Sequence, residues 1–300
     1  MSEFKIIEHN KIDFKKWDKT VMNSPLPLVF AQSFYLNATC PNWKALIKND
    51  YEIVLPITEG QKLKIKYLYQ PSFTPQLGIY GKSTKSDQEE IISFLMSQFK
   101  FIEIELNAFN LLKGKGFKEK PTFVIDFKKS FKQNENTKRN ISKAKKNGII
   151  VEEIKDFHEG IKFAKNKLIP WMKTELNISL KQGVLLLNLI SNTNDNKALK
   201  AFKAIDENGK ILSVGYFIYN QFHAVFLKGM SINKKDNTGS MHLLMDHAIN
   251  YFKDKANIFD FGGGSSSGLA NFYRGLGGSE LIYHTLKVNN LPWPLKILKK

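Results

Sequence analysis

The same order of elements can be read twice along this chain, and that repetition limits the fold more than any single motif does. In the first half, a helical stretch from Ile12 to Met22 precedes two strand-like runs, Trp43 to Lys48 and Glu52 to Ile57, around the polar pair Asn49-Asp50. A third run, Leu63 to Tyr69, leads through the loop Gln70 to Gly81 into an amphipathic helix, Ser86 to Gln98, and a strand, Phe101 to Leu106. In the second half, Ala198 to Ile205 and Ile211 to Tyr219 flank Asp206 to Gly209, a turn sequence ending in Asn-Gly. His223 to Ser231, the loop Ile232 to Gly239, a helix from Ser240 to Lys253 and a strand from Ile258 to Phe261 complete the copy. Two such units in 300 residues predict a mixed α/β fold duplicated in tandem, with domains at 1–121 and 122–300.

Between the copies lies a basic segment. Thr122 to Phe127 reads as a strand, and 137–147 as a helix ended by Gly148. The formal net charge is +17, and residues 113–146 carry 12 bases against 3 acids. Arg139, Lys143 and Lys146 fall at i, i+4 and i+7 and project together, with Lys138 beside them. A row like this either is solvated or meets an anion. Only Arg139 and Arg274 of the 45 basic residues are arginine.

The single cysteine, Cys40, excludes an intramolecular disulfide framework and any multi-cysteine zinc site, which points to a reducing cytoplasm. The longest apolar stretch, Val184 to Ile190, is interrupted by Asn188 and far too short to cross a membrane. The tail LPWPLKILKK combines Trp293, Leu295, Ile297 and Leu298 with lysines, the composition of a weak membrane-surface contact or of a segment docked on the fold. His242, Asp246 and His247 have a helix-surface spacing without a third ligand, so no metal is expected.

The densest motif is FDFGGGSSSGLANFYRGLGG, residues 259–278. A strand ends at Asp260, the glycines Gly262, Gly263 and Gly264 let backbone N–H groups approach a ligand, and a short helix follows. This segment, the basic helix TKRNISKAKKNGIIVEE and the loop YQPSFTPQLGIYG together resemble the signatures of the Fem-type peptidoglycan aminoacyltransferases within the GNAT superfamily. The loop is most similar to the BioF2-type acetyltransferase branch. The resemblance implies two tandem GNAT (acyl-CoA N-acyltransferase) folds and transfer of an acyl or aminoacyl group to an amine, with acetyl-CoA or another acyl-CoA, or aminoacyl-tRNA, as donor.

By the same resemblance, Lys138, Arg139, Lys143, Gln70, Gln76, Asn107 and Lys228 would bind the substrate. Gly262 to Gly264, with Thr238, Gly239 and Ser240, would hold the donor, although Lys235 to Ser240 only partly match the usual CoA-binding loop. Asp260 would orient the amine or take its proton, and Tyr273 and Arg274 would stabilise the oxyanion. Fem transferases carry a lysine where this chain has Tyr273, which points toward the acetyltransferase branch. The implied substrate is a phosphorylated or otherwise anionic small molecule, such as a cell-wall precursor, with tRNA as a further partner. The alternatives are a plain acetyl-CoA-dependent N-acetyltransferase acting on an amino or nucleotide sugar, and a non-enzymatic binder of RNA or anionic lipid.

Overall fold

The computed structural model describes residues 4–110, 112–233, 237–264 and 266–296. In chain order the elements are β1 (Phe4–Ile7), α1 (Phe14–Met22), α2 (Ser33–Thr39), β2 (Lys44–Lys48), β3 (Ile53–Ile57), β4 (Glu59–Lys62), β5 (Ile65–Tyr69), β6 (Tyr80–Gly81), α3 (Lys85–Gln98), β7 (Phe101–Leu106) and β8 (Phe117–Asp126). They continue with α4 (Glu135–Lys146), β9 (Ile150–Glu153), α5 (Phe157–Phe163), a π turn at Ala164–Leu168, α6 (Ile169–Leu176), α7 (Leu180–Asp195), β10 (Leu199–Ile205), β11 (Ile211–Tyr219) and β12 (His223–Ser231). α8 (Ser240–Phe252), β13 (Ile258–Asp260), α9 (Ser267–Gly275) and β14 (Ser279–Asn289) complete the chain.

Two compact units result, Met1–Lys120 with Ile282–Lys300, and Pro121–Leu281. The stretch 282–300, assigned from sequence to the second domain, belongs with the first, because β14 pairs antiparallel with β7 from His284–Leu106 to Asn289–Phe101.

The duplicated pattern is real topology. In the first unit, β5 and β7 run parallel, joined by α3, and β14 lies antiparallel on β7. In the second, β12 and β13 run parallel, joined by α8, and β8 lies antiparallel on β13. A parallel pair needs a crossover of this kind, and the helix covers the sheet face it crosses. The third strand expected at Leu63 to Tyr69 begins instead at Ile65, because Leu63 and Lys64 form the turn of the β4–β5 hairpin.

Each unit has its own core. In the first, Leu55, Leu68, Ile91, Leu95, Ile102, Ile104 and Leu286 pack together between α3 and the strands. In the second, α8 buries Leu244, Met245, Ala248, Ile249 and Phe252 on a helical stripe against Phe202, Phe217 and Phe259. Burial of each large side chain is worth on the order of 2 kcal/mol. β11 is buried on both faces, since Gly215 meets Leu244 of α8 while the hydroxyl of Tyr216 donates to Gly160 O of α5 at 2.7 Å. Its continuous apolar run, rather than an alternating one, follows from that.

Candidate functional site

The site of the second unit is built where a strand pair stops. β12 and β13 are in register at His223–Ile258, Ala224–Phe259 and Val225–Asp260. β13 ends there, while β12 runs on to Ser231. Phe226 to Ser231 therefore present their β13-facing edge beyond the carboxyl end of a parallel pair, where α/β folds characteristically bind ligands. Gly262 turns the chain away at φ 71°, and a Cβ there would stand 2.8 Å from Phe226 O. Only glycine allows that approach without strain.

Asp260 fixes this turn. It is 1% exposed, and its Oδ1 accepts from Thr122 Oγ1 at 2.9 Å and from Gly262 N at 2.8 Å. Its Oδ2 lies 3.4 Å from Nε2 of His223, which is also buried. Enclosed in this way, the carboxylate, expected from sequence to orient the amine or take its proton, holds the glycine turn in position. The Gly262 N–H is likewise occupied. Sequence reasoning missed Thr122 and His223, whose separation from Asp260 along the chain hides the cluster.

α9 follows, capped by the Ser266 side chain, which accepts from Leu269 N. Tyr273 is 5% exposed and stacks on Phe261 with centroids 4.6 Å apart. Burial, with a smaller contribution from the Asp260 charge, pushes its phenol up to about 12, so it stays a neutral hydroxyl at physiological pH. Arg274 is half-exposed, with its guanidinium 4.9 Å from the centroid of the Phe123 ring and 3.3 Å from Glu280 Oε2. The Phe123 ring lies 6.2 Å from that of Tyr273, so one side chain of β8 contacts both candidate residues.

α4 joins the same cluster. Asn134 accepts from Thr137 N at 2.8 Å to cap the helix, and its own N–H donates to Gly275 O at the end of α9. Glu135, Lys138, Arg139, Ser142, Lys143 and Lys146 line a shallow depression of about 530 Å³ on its outer face. Lys138 pairs with Glu135 at 2.7 Å, and Arg139 reaches Asn136 Oδ1 at 3.5 Å. The helix begins two residues earlier than expected, at Glu135. α8 is held against it through Gly239, which has φ 82° and whose Cβ would come 2.2 Å from Asn140 O. Thr238 Oγ1 accepts from Ser240 N at 3.2 Å, and Ser240 is buried. Lys235 and Asp236 of the expected donor loop, and Ser265 of the glycine loop, lie outside the described residues.

Other sequence candidates fall elsewhere. The β11–β12 register sets Lys228 opposite Tyr216, on the sheet face of α5 rather than that of α8, with no carboxylate partner among the described residues. Burial pushes its ammonium below the ordinary 10.5. Gln70, Gln76 and Asn107 belong to the first unit. Gln70 Oε1 accepts from Glu105 N at 2.8 Å, Gln76 Oε1 from Ala108 N at 3.1 Å, and Asn107 donates to Ile79 O at 3.1 Å. All three, expected from sequence to bind substrate, bind the 70–81 loop to the end of β7, and the buried Nε2 of Gln76 has no partner among the described residues.

Cys40 is buried beside the Tyr69 hydroxyl, and burial raises its thiol, which makes it a poor nucleophile. His242 stacks edge-on against Phe272, His247 against Phe202, and Asp246 accepts from Gln133 Nε2 at 2.7 Å. The three do not converge.

No protein-family model matches the chain, and no curated protein matches it in sequence. Solved structures do. The chain is similar to FemX at 14% identity and a TM-score of 0.70, with 99% of each chain covered. The fold is a Fem-type tandem GNAT fold. L-PGS from Bacillus licheniformis shares it at 13% identity and a TM-score of 0.53, covering 85% of this chain and 87% of that one. So does a tandem GNAT protein from the clavulanic acid biosynthesis pathway, at 8% identity and a TM-score of 0.51, covering 97% and 99%. In this Fem-type fold, the open end of the β12–β13 pair and the α4–α9 cluster both lie in the second GNAT unit.

Proposed function

We propose that the protein is an acyltransferase that moves an acyl or aminoacyl group from a thioester or ester donor to the amine of an anionic, phosphate- or carboxylate-bearing acceptor. The observation that carries this reading is the β12–β13 pair ending at Val225–Asp260, with a glycine turn fixed by a buried carboxylate and a basic helix hydrogen-bonded to α9 beside it. Likeness to FemX, L-PGS and a tandem GNAT protein supports it.

The chemistry asks little of side chains. An uncharged amine attacks the donor carbonyl, the C–N bond forms, the thiolate or alkoxide leaves, and the ammonium proton passes to solvent or to the leaving group. The developing oxyanion needs fixed donors, and in this reading the Gly263 and Gly264 N–H groups together with Arg274 would supply them. The neutral Tyr273 hydroxyl can donate but cannot act as a base near pH 7. Lys138, Arg139 and Lys143 would hold the acceptor's negative charge. Acyl-CoA or aminoacyl-tRNA serves as donor in this reading, in the cytoplasm, where both are made.

The presence of Tyr273 where Fem transferases carry lysine favours acetyl-CoA over aminoacyl-tRNA, and with it the plain N-acetyltransferase reading and the BioF2-type branch. A thermal-shift titration separates the donors. A true donor at a hundredfold excess over Kd stabilises by about 2.7 kcal/mol. Stabilisation by acetyl-CoA and transfer of labelled acetate to an amine support this reading. Steep, salt-dependent binding to generic RNA, with no transfer from either donor, would replace it with a polyanion binder.

A further inference from the structure

In the first unit, the tip of the β4–β5 hairpin lies beside the segment that follows β14. Leu63, Ile65, Tyr67, Phe101, Leu291 and Leu295 line one depression of about 380 Å³, with Lys62 at its rim. Leu63 is 71% exposed and Trp293, between Pro292 and Pro294, is 79% exposed. Leu63 and Lys64 form the hairpin turn with φ of 50° and 62°, a conformation that suits Asn or Gly. A leucine there carries both backbone strain and a largely exposed side chain.

Basic residues flank these apolar side chains along the chain. Lys62, Lys64 and Lys66 lie on the hairpin and Lys296 follows Leu295, while Glu59 reaches Lys66 at 3.4 Å. Exposed apolar side chains with lysines alongside them in the chain complement a surface that is anionic outside and apolar just beneath. A tryptophan beside prolines is suited to the headgroup boundary, where its ring is half wet. A protein groove would instead call for a concave partner and fewer lysines at the rim.

We propose that this face docks the protein on an anionic lipid bilayer, with Trp293 and Leu63 entering the interface and Lys62, Lys64 and Lys296 lying over headgroups. No helix among the described residues is long and apolar enough to cross a membrane, so the contact is peripheral. Residues 297–300, which the sequence tail adds to this reading, lie outside the described residues.

The test is co-sedimentation of the full chain with phosphatidylcholine vesicles, with and without phosphatidylglycerol. Binding is expected only to the anionic vesicles, weakening as salt rises, with each Lys→Gln change at 62, 64 or 296 costing about fivefold. The double variant Trp293→Ala, Leu63→Asn should lose at least roughly tenfold in affinity while keeping its melting temperature. An Arg139→Ala, Lys143→Ala variant should bind vesicles as the wild type does. Failure to bind anionic vesicles overturns the proposal, as does binding equal on neutral ones or unchanged in the Trp293 and Leu63 variant. A dimer in sedimentation velocity that this variant abolishes overturns it in favour of a second copy of the chain.

Discussion

The carboxylate of Asp260 accepts a hydrogen bond from the hydroxyl of Thr122 at 2.9 Å, between residues 138 apart in sequence. One buried pair thus ties β8, which enters the second unit, to β13, which ends at the candidate site. The same oxygen accepts from Gly262 N, so the pair also sets the direction in which the glycine turn leaves the sheet.

Removing that carboxylate should cost stability first and activity through it. Asp260→Ala leaves the donors of Thr122 and Gly262 buried without an acceptor, a loss of roughly 3 kcal/mol. Asp260→Asn keeps an oxygen for both and should retain most of the stability. Urea unfolding of the two variants checks this; an Asn variant that unfolds as readily as the Ala variant would show that charge, not hydrogen bonding, holds the turn.

Arg274 behaves differently because it is half-exposed. Its ion pair with Glu280 is worth no more than about 1 kcal/mol, so Arg274→Ala should melt close to wild type. Its kcat/KM should nonetheless fall by at least ~10², the scale of one lost oxyanion donor. Arg274→Lys should not restore the rate, since a lysine lacks the planar stacking over Phe123. Wild-type kinetics in the Ala variant would remove Arg274 from the site.

The α4 row makes an ionic prediction. Arg139→Ala with Lys143→Ala should raise KM for the anionic acceptor several-fold with kcat little changed, and flatten the dependence of KM on salt. Initial rates across a salt series measure both.

Much of the fold could be read from periodicity, because α3 and α8 carry clear apolar stripes and the Asp206 to Gly209 turn marks its hairpin. Helices α5 to α7 were not anticipated, although Ser179 and Gln182 form a complete capping box at the start of α7. Neither was β14, whose place beside β7 depends on pairing with residues about 180 positions earlier. The site was legible in part for the same reason. The glycine turn, Arg274 and the basic helix are local signals, whereas the burial of Asp260 by Thr122 and His223 is a long-range fact. The loop contacts of Gln70, Gln76 and Asn107 were not legible either, because buried amides that anchor loops have the same composition as amides that bind ligands.

Lys228 offers a test through pH. Burial lowers its folded-state pKa, so between that value and 10.5 the unfolded chain binds more protons than the folded one, and stability rises with pH across that window. Below the folded-state value the cost of enclosing the charge is fully present. Lys228→Met should therefore melt higher than wild type near pH 7, with the gap closing as pH rises toward 10.5. Because Lys228 lies on the face of α5, KM should stay within about twofold. A large rise in KM would return Lys228 to the substrate site.

Gly239 and Gly209 make a controlled pair. Both have positive φ, 82° and 76°, so alanine at either costs backbone strain of about 1 kcal/mol. Around Gly209 a Cβ would meet nothing within 4 Å, whereas at Gly239 it would come 2.2 Å from Asn140 O in α4. The added carbon must push α8 away from α4, and a packed interface resists such a shift at a cost of roughly 1–3 kcal/mol. Gly239→Ala should thus lose about 2–4 kcal/mol against about 1 for Gly209→Ala. If the helix contact positions the basic row, only the first should also raise KM for the acceptor. Equal losses of stability in the two variants would mean that α4 yields freely, and that the row is held by its Asn134 link to α9 alone.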